Sequence, residues 1–118
     1  MTSELVGTWQ TETIGGIAPE EGVGSTATFG ADGRVSGFGG VNRFGGSYEA
    51  REDELELGAM FSTRMAGPEP AMAHEAALLN VLQGTRPFVL EDDVLTIGAG
   101  PDEVRLRRLD DAAIDSVA

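Results

Sequence analysis

Cysteine is absent from the 118 residues, which excludes disulfides, thiol catalysis and cysteine-type zinc sites. Lysine is absent too, so all eight basic residues are arginines, set against twenty acidic residues for a net charge of −12. Binding a nucleic-acid duplex takes a basic face that displaces counterions, and scattered arginines in so acidic a chain do not supply one. Nucleic acid and anionic membrane surfaces are therefore excluded as expected partners. No apolar run approaches the roughly 20 residues of a membrane span, and the start Met1-Thr2-Ser3-Glu4 has neither a basic region nor an apolar one. The expected location is the cytoplasm; the alternative is an envelope protein whose leader has been removed.

Glycine is plentiful, with seventeen residues. Most fall between short apolar-polar alternations, the pattern of an antiparallel β domain. Alternating segments are read at residues 5–14, 25–29, 34–38, 47–51, 55–57, 86–90, 94–97 and 104–109. Their connections are Gly-terminated or acidic, such as Gly30-Ala31-Asp32-Gly33 and Glu91-Asp92-Asp93. About eight strands are enough to close a small barrel. Residues 70–83 differ, with Met72, Ala76, Leu79 and Leu82 at helical spacing, prolines at the entry and Gly84 at the exit. The expected fold is thus mainly β (α+β): a small antiparallel, barrel-like sheet packed against one α-helix. A single domain is expected over residues 1–109, with a flexible acidic tail over 110–118. The expected core comprises Trp9, Phe29, Val35, Tyr48, Leu57, Leu79, Val89, Leu95 and Leu106, each on an apolar phase of its element.

Candidate chemistry is sparse. His74 is the only histidine, placed on the helix beside Glu75. A general base needs a partner and a cleft, and zinc needs three or four ligands. The reading is a surface or boundary histidine. The acidic runs at residues 52–56 and 91–93 do not match a calcium loop and read as solvated turns. Ser62-Thr63-Arg64 lacks a Gly-x-Ser-x-Gly elbow. The run Gly37-Phe38-Gly39-Gly40 is not a phosphate loop, since no Gly-Lys-Ser/Thr follows; glycines there mark a bulge, a bend or close backbone packing. No metal or cofactor is expected.

The stretch from Gly37 to Tyr48, Gly-Phe-Gly-Gly-Val-Asn-Arg-Phe-Gly-Gly-Ser-Tyr, resembles the first signature of the META domain, the family of the heat-shock-associated HslJ proteins. Leu5-Val6-Gly7-Thr8-Trp9 is similar to that family's first strand, and Phe29 to Gly37 to its first hairpin. Ser62-Thr63-Arg64-Met65-Ala66 resembles its second signature, followed by the Pro-flanked helix. Asp93-Val94-Leu95-Thr96-Ile97 fits its closing region. The likeness spans about residues 5–109. It implies a barrel-like β fold against one helix, loose links to stress, and no established enzymatic activity.

Under this resemblance the motif residues are fold-makers: Gly37, Gly40 and Gly46 for backbone bends, Asn42 and Thr63 for the signature turns, Trp9 and Tyr48 for the core. Arg43 and Arg64 are either tied to carboxylates or exposed as an anion clamp. Many family members carry cysteine where this chain has Val41 and Gly67. The joint loss of a bridge worth roughly 2–4 kcal/mol fits a reducing compartment. It also implies that Val41 and Gly67 face one another.

The function expected is a non-enzymatic, stress-associated module, monomeric, binding a small apolar or acidic ligand or a protein partner. Its ligand site is expected at an apolar end of the barrel beside the helix, with Met72 contributing and Arg43 or Arg64 at the rim. The alternative is a small hydrolase or isomerase using Asp/Glu and Arg.

Overall fold

The computed structural model describes residues 5–109. The expected tail over 110–118 lies outside the described residues. Nine strands and one helix follow in the order β1 (Gly7–Ile14), β2 (Thr26–Phe29), β3 (Arg34–Phe38), β4 (Arg43–Arg51), β5 (Glu54–Leu57), β6 (Phe61–Ser62), α1 (Glu69–Val81), β7 (Gly84–Glu91), β8 (Val94–Ile97) and β9 (Val104–Leu109). A short 3-10 turn, Gly100–Asp102, precedes β9.

All neighbouring strands run antiparallel. The sheet order is β3-β2-β1-β9-β8-β7-β5-β4-β6, and an additional β3–β4 pairing closes it. Eight strands therefore form an up-and-down barrel, into which the segment carrying β6 and α1 is inserted between β5 and β7. Closure depends on the length of β4. Its first half pairs with β3 on one edge and β6 on the other, and its second half pairs with β5.

The barrel interior is filled by alternate side chains of the strands, as strand periodicity requires. Trp9, Phe29, Val35, Leu55, Leu95, Ile97, Val104 and Leu106 are fully buried there. The Trp9 indole N–H donates to the Leu5 carbonyl at 2.9 Å, so its one polar atom is satisfied inside the core. Tyr48 meets Phe29 edge-to-face at 4.9 Å, and its hydroxyl donates to the Gly30 carbonyl at 2.6 Å. The connections β1–β2, β3–β4 and β8–β9 lie at one end, and all three meet α1. The helix thus caps that end, with Leu78, Val81 and Leu82 joining the core.

Two expectations about the core are corrected. Val89 is 55% exposed, because β7 turns the flanking Phe88 and Leu90 toward the core. In a run of three apolar residues, pattern alone does not fix which phase faces inward. The helix is rotated from its expected phase: Ala71, Glu75, Leu78 and Val81 are buried, whereas Met72 and Ala76 are exposed and Leu79 is half-buried.

Candidate functional site

Both signature segments converge on the capped end of the barrel, where Glu75 is the organising residue. Its Oε1 accepts the backbone N–H groups of Val41 at 3.0 Å and Asn42 at 2.5 Å, and its Oε2 accepts the Asn42 amide at 2.8 Å. The Asn42 Oδ1 in turn accepts the Thr63 hydroxyl at 2.8 Å and the Met65 N–H at 2.7 Å, while its amide also donates to the Met65 carbonyl. Thr63 then accepts the Arg43 N–H. One carboxylate on the helix thereby locks the β3–β4 connection to the segment after β6. Burial pushes the Glu75 carboxyl up, but the hydrogen bonds from Asn42 and Val41, with His74 beside it, outweigh burial. The group is held below its ordinary value of 4.5.

One helix position earlier, His74 reaches the barrel from the same end. Its Nε2 lies 2.8 Å from the Ser25 hydroxyl, which itself donates to Thr11 at 2.7 Å. Because the Ser25 proton is committed to Thr11, the imidazole N–H is the donor to Ser25. This is the reverse of a nucleophile-base pair, in which serine donates to histidine. Ser25 is also buried. Burial lowers the His74 pKa below 6.5, against an opposing pull from Glu75.

Outside this chain of hydrogen bonds lies a groove of about 420 Å³ between α1 and the β1–β2 connection. Its walls are Ile14, Ile17, Pro19, Pro70, Ala77 and Pro101, with Glu20 and His74 as the ionisable lining groups. Among the described residues, no three His, Asp or Glu side chains are grouped as a metal site. No helix among them is long and apolar enough to cross a membrane.

The residues singled out from sequence fall into two sets. Asn42 and Thr63 meet in the Glu75 network, and Trp9 and Tyr48 lie in the core. Gly40 adopts φ 129, a backbone state that side chains avoid, directly against the Ala71 carbonyl of the helix. Gly37 and Gly46 have no positive φ and serve close approach instead: a Cβ at Gly46 would lie 2.9 Å from the Ala59 carbonyl, and one at Gly37 2.8 Å from the Phe44 ring. Arg43, Arg64 and Met72 are exposed, and none lines the groove. Among the described residues neither arginine forms an ion pair or side-chain hydrogen bond.

Sequence reasoning missed Glu75 and the Ser25–His74 contact. For the first, the carboxylate interrupts the stripe that is in fact buried and so turns the helical reading away from it. For the second, 49 residues separate the partners and no local pattern links them.

Val41 and Gly67 do face one another. A Cβ placed on Gly67 falls 3.5 Å from that of Val41, within the range a disulfide spans.

The model of the META domain family matches residues 3–112. No curated protein matches the chain. Among solved structures, the chain is similar to the NMR structure of a protein from Burkholderia xenovorans, with a TM-score of 0.68 and 23% identity over 92% of this chain and 86% of that one. It is also similar to a second protein solved by NMR, with a TM-score of 0.71 and 17% identity over 92% of this chain and 94% of that one. At these identities the likeness concerns the fold alone.

Proposed function

The chain belongs to the META domain family, and we propose that it acts there as a monomeric, non-enzymatic binding module with a stress-associated role. The observation that supports this best is where its buried polar groups are spent. Among the described residues no buried side-chain nitrogen or oxygen lacks a partner. Glu75 is consumed by Asn42 and Val41, and Ser25 by Thr11 and His74. An enzyme site instead keeps a poised group facing a cleft, whereas the shifted group that lines the groove here, His74, is spent on buried Ser25.

The barrel interior is packed with side chains, so a ligand is taken on the outside. The groove between α1 and the β1–β2 connection suits a small apolar molecule, since its walls are aliphatic and proline surfaces. Glu20 at its edge favours a neutral or cationic ligand over an acidic one. The facing positions of Val41 and Gly67, which the family resemblance matches to a cysteine pair, favour a reducing location such as the cytoplasm.

The test is a titration with neutral, cationic and anionic environment-sensitive dyes, alongside generic esterase and phosphatase substrates. Enhanced fluorescence of the neutral or cationic dye, lost when Ala73→Trp fills the groove, supports the reading. Turnover abolished by Ser25→Ala or by changing a single carboxylate overturns it.

A further inference from the structure

We propose that the outer face of β3, β4 and β6 is a second docking surface, built for an extended acidic protein segment that also carries apolar side chains. This goes beyond the groove beside α1 and uses none of its residues.

The face departs from the rest of the molecule in charge. In a chain of net −12, Arg34, Arg43 and Arg64 are exposed and without an ion pair among the described residues. Strand pairing places Arg34 and Arg43 on one face, and Arg64 adjoins the segment bonded to Arg43. Arg34 pairs with Ser47, Ser36 with Gly45, and Phe38 with Arg43, so residues 34, 36 and 38 share the outer face with 43, 45 and 47. Arg64 follows Thr63, whose backbone N–H donates to the Arg43 carbonyl at 3.0 Å.

Phe38 and Phe61 lie on the same face, and Met65 follows Arg64 in the adjoining segment. Phe38 is 39% exposed, Phe61 64% and Met65 61%, three of the six large hydrophobic side chains exposed among the described residues. Exposed aromatics and methionine beside arginine are what protein interfaces concentrate, and what ordinary surfaces dilute. Phe61 is seated there deliberately. It pairs with Gly45, where a Cβ would lie 2.7 Å from its ring, so the strand forgoes a side chain to let the ring lie across it. A groove of about 340 Å³ runs beside it, lined by Thr28, Arg34, Ser36, Gly45 and Phe61. Its one carboxylate, Asp32, accepts the Arg34 backbone N–H.

Two features make the surface a preformed one. Asn42 holds both backbone groups of Met65 through its amide and carbonyl, so the segment displaying Arg64 and Met65 is fixed from beneath. The position of β6 at the end of the sheet order leaves its outer backbone edge without a strand partner among the described residues. An extended segment can pair with such an edge, setting alternate side chains on the arginines and the aromatic groove. About ten residues extend roughly 33 Å, enough to cross the face. A long polyanion would meet the acidic remainder of the chain, whereas a short acidic segment meets this face alone.

The experiment is a selection from a library of displayed random peptides against the full chain, followed by titration of the enriched peptides. Sequences combining Asp or Glu with large apolar residues are expected. Their affinity should fall about tenfold or more in Arg43→Glu/Arg64→Glu and in Phe61→Ser, and fall with salt, but persist in the control Arg105→Glu. Circular dichroism of each variant confirms that these exposed changes leave the fold intact. Enrichment of non-acidic peptides, equal binding to the charge-reversed variant, or no enrichment at all overturns the proposal. So does binding of phosphatidylserine vesicles, lost in the same variants, without any peptide binding.

Discussion

Glu75 and His74 are successive residues on one helix, yet they hold different strands and respond differently to acid. His74 donates to Ser25 while neutral, and burial keeps its pKa below 6.5. The unfolded chain therefore binds a proton at a higher pH than the folded one, so folding loses stability as pH falls from 6.5 toward the lowered value. Glu75 is held below 4.5 by its hydrogen bonds, and its contribution is present above that pH and lost as pH falls further. The melting temperature should thus decline in two stages on acidification. As the chain has one histidine, His74→Gln, which retains a donor for Ser25, should remove the upper stage and leave the lower. An unchanged profile in that variant would remove His74 from this role. Neither group's environment is legible locally, because the partners Ser25 and Asn42 lie 49 and 33 residues away.

At the level of elements, the helix was easier to find than to orient. Alanines occur around its whole circumference, so hydrophobic spacing fits a stripe through Met72 and Leu79 as well as the true one through Ala71 and Leu78. The acidic Glu75 inside the buried face steers the reading to the wrong side. The two phases predict different energetics. Leu78→Ala should cost about 2–5 kcal/mol, as for a fully enclosed leucine, whereas Met72→Ala should stay within about 0.5 kcal/mol by denaturant melt. Equal costs would contradict the observed phase. The β3–β4 connection and the segment entering α1 offer a second test. Val41→Cys with Gly67→Cys should oxidise to a bridge without distortion, and reduction should lower stability by roughly 2–4 kcal/mol. Free thiols persisting under oxidant would place the two residues further apart. Two elements were not legible. β6 is only two residues long, and the start of β4 at Arg43 lies within the glycine-rich motif, where alternation is masked.

For the molecule as a whole, stability rests on one closed barrel around Trp9. The indole is fully buried, its N–H is spent on Leu5, and the Arg108 guanidinium lies 4.3 Å from the ring centroid. Trp9→Ala should cost roughly 3–5 kcal/mol, seen as an earlier denaturant midpoint; a variant that melts with the parent would contradict this packing. The eight barrel strands, the single helix and most of the core followed from the sequence, since strand alternation and turn residues are local signals with a fixed period. Family membership followed for the same reason: its motifs are contiguous and occur in series. Only the tertiary structure decided the closing β3–β4 pairing, the face that α1 turns to the barrel, and the use of Glu75 as the clasp between both signatures. It also brought Arg34 and Arg43 onto one face with Phe61. Each of these depends on which distant segments meet once the barrel closes, and a period of two or of 3.6 residues carries no information about that.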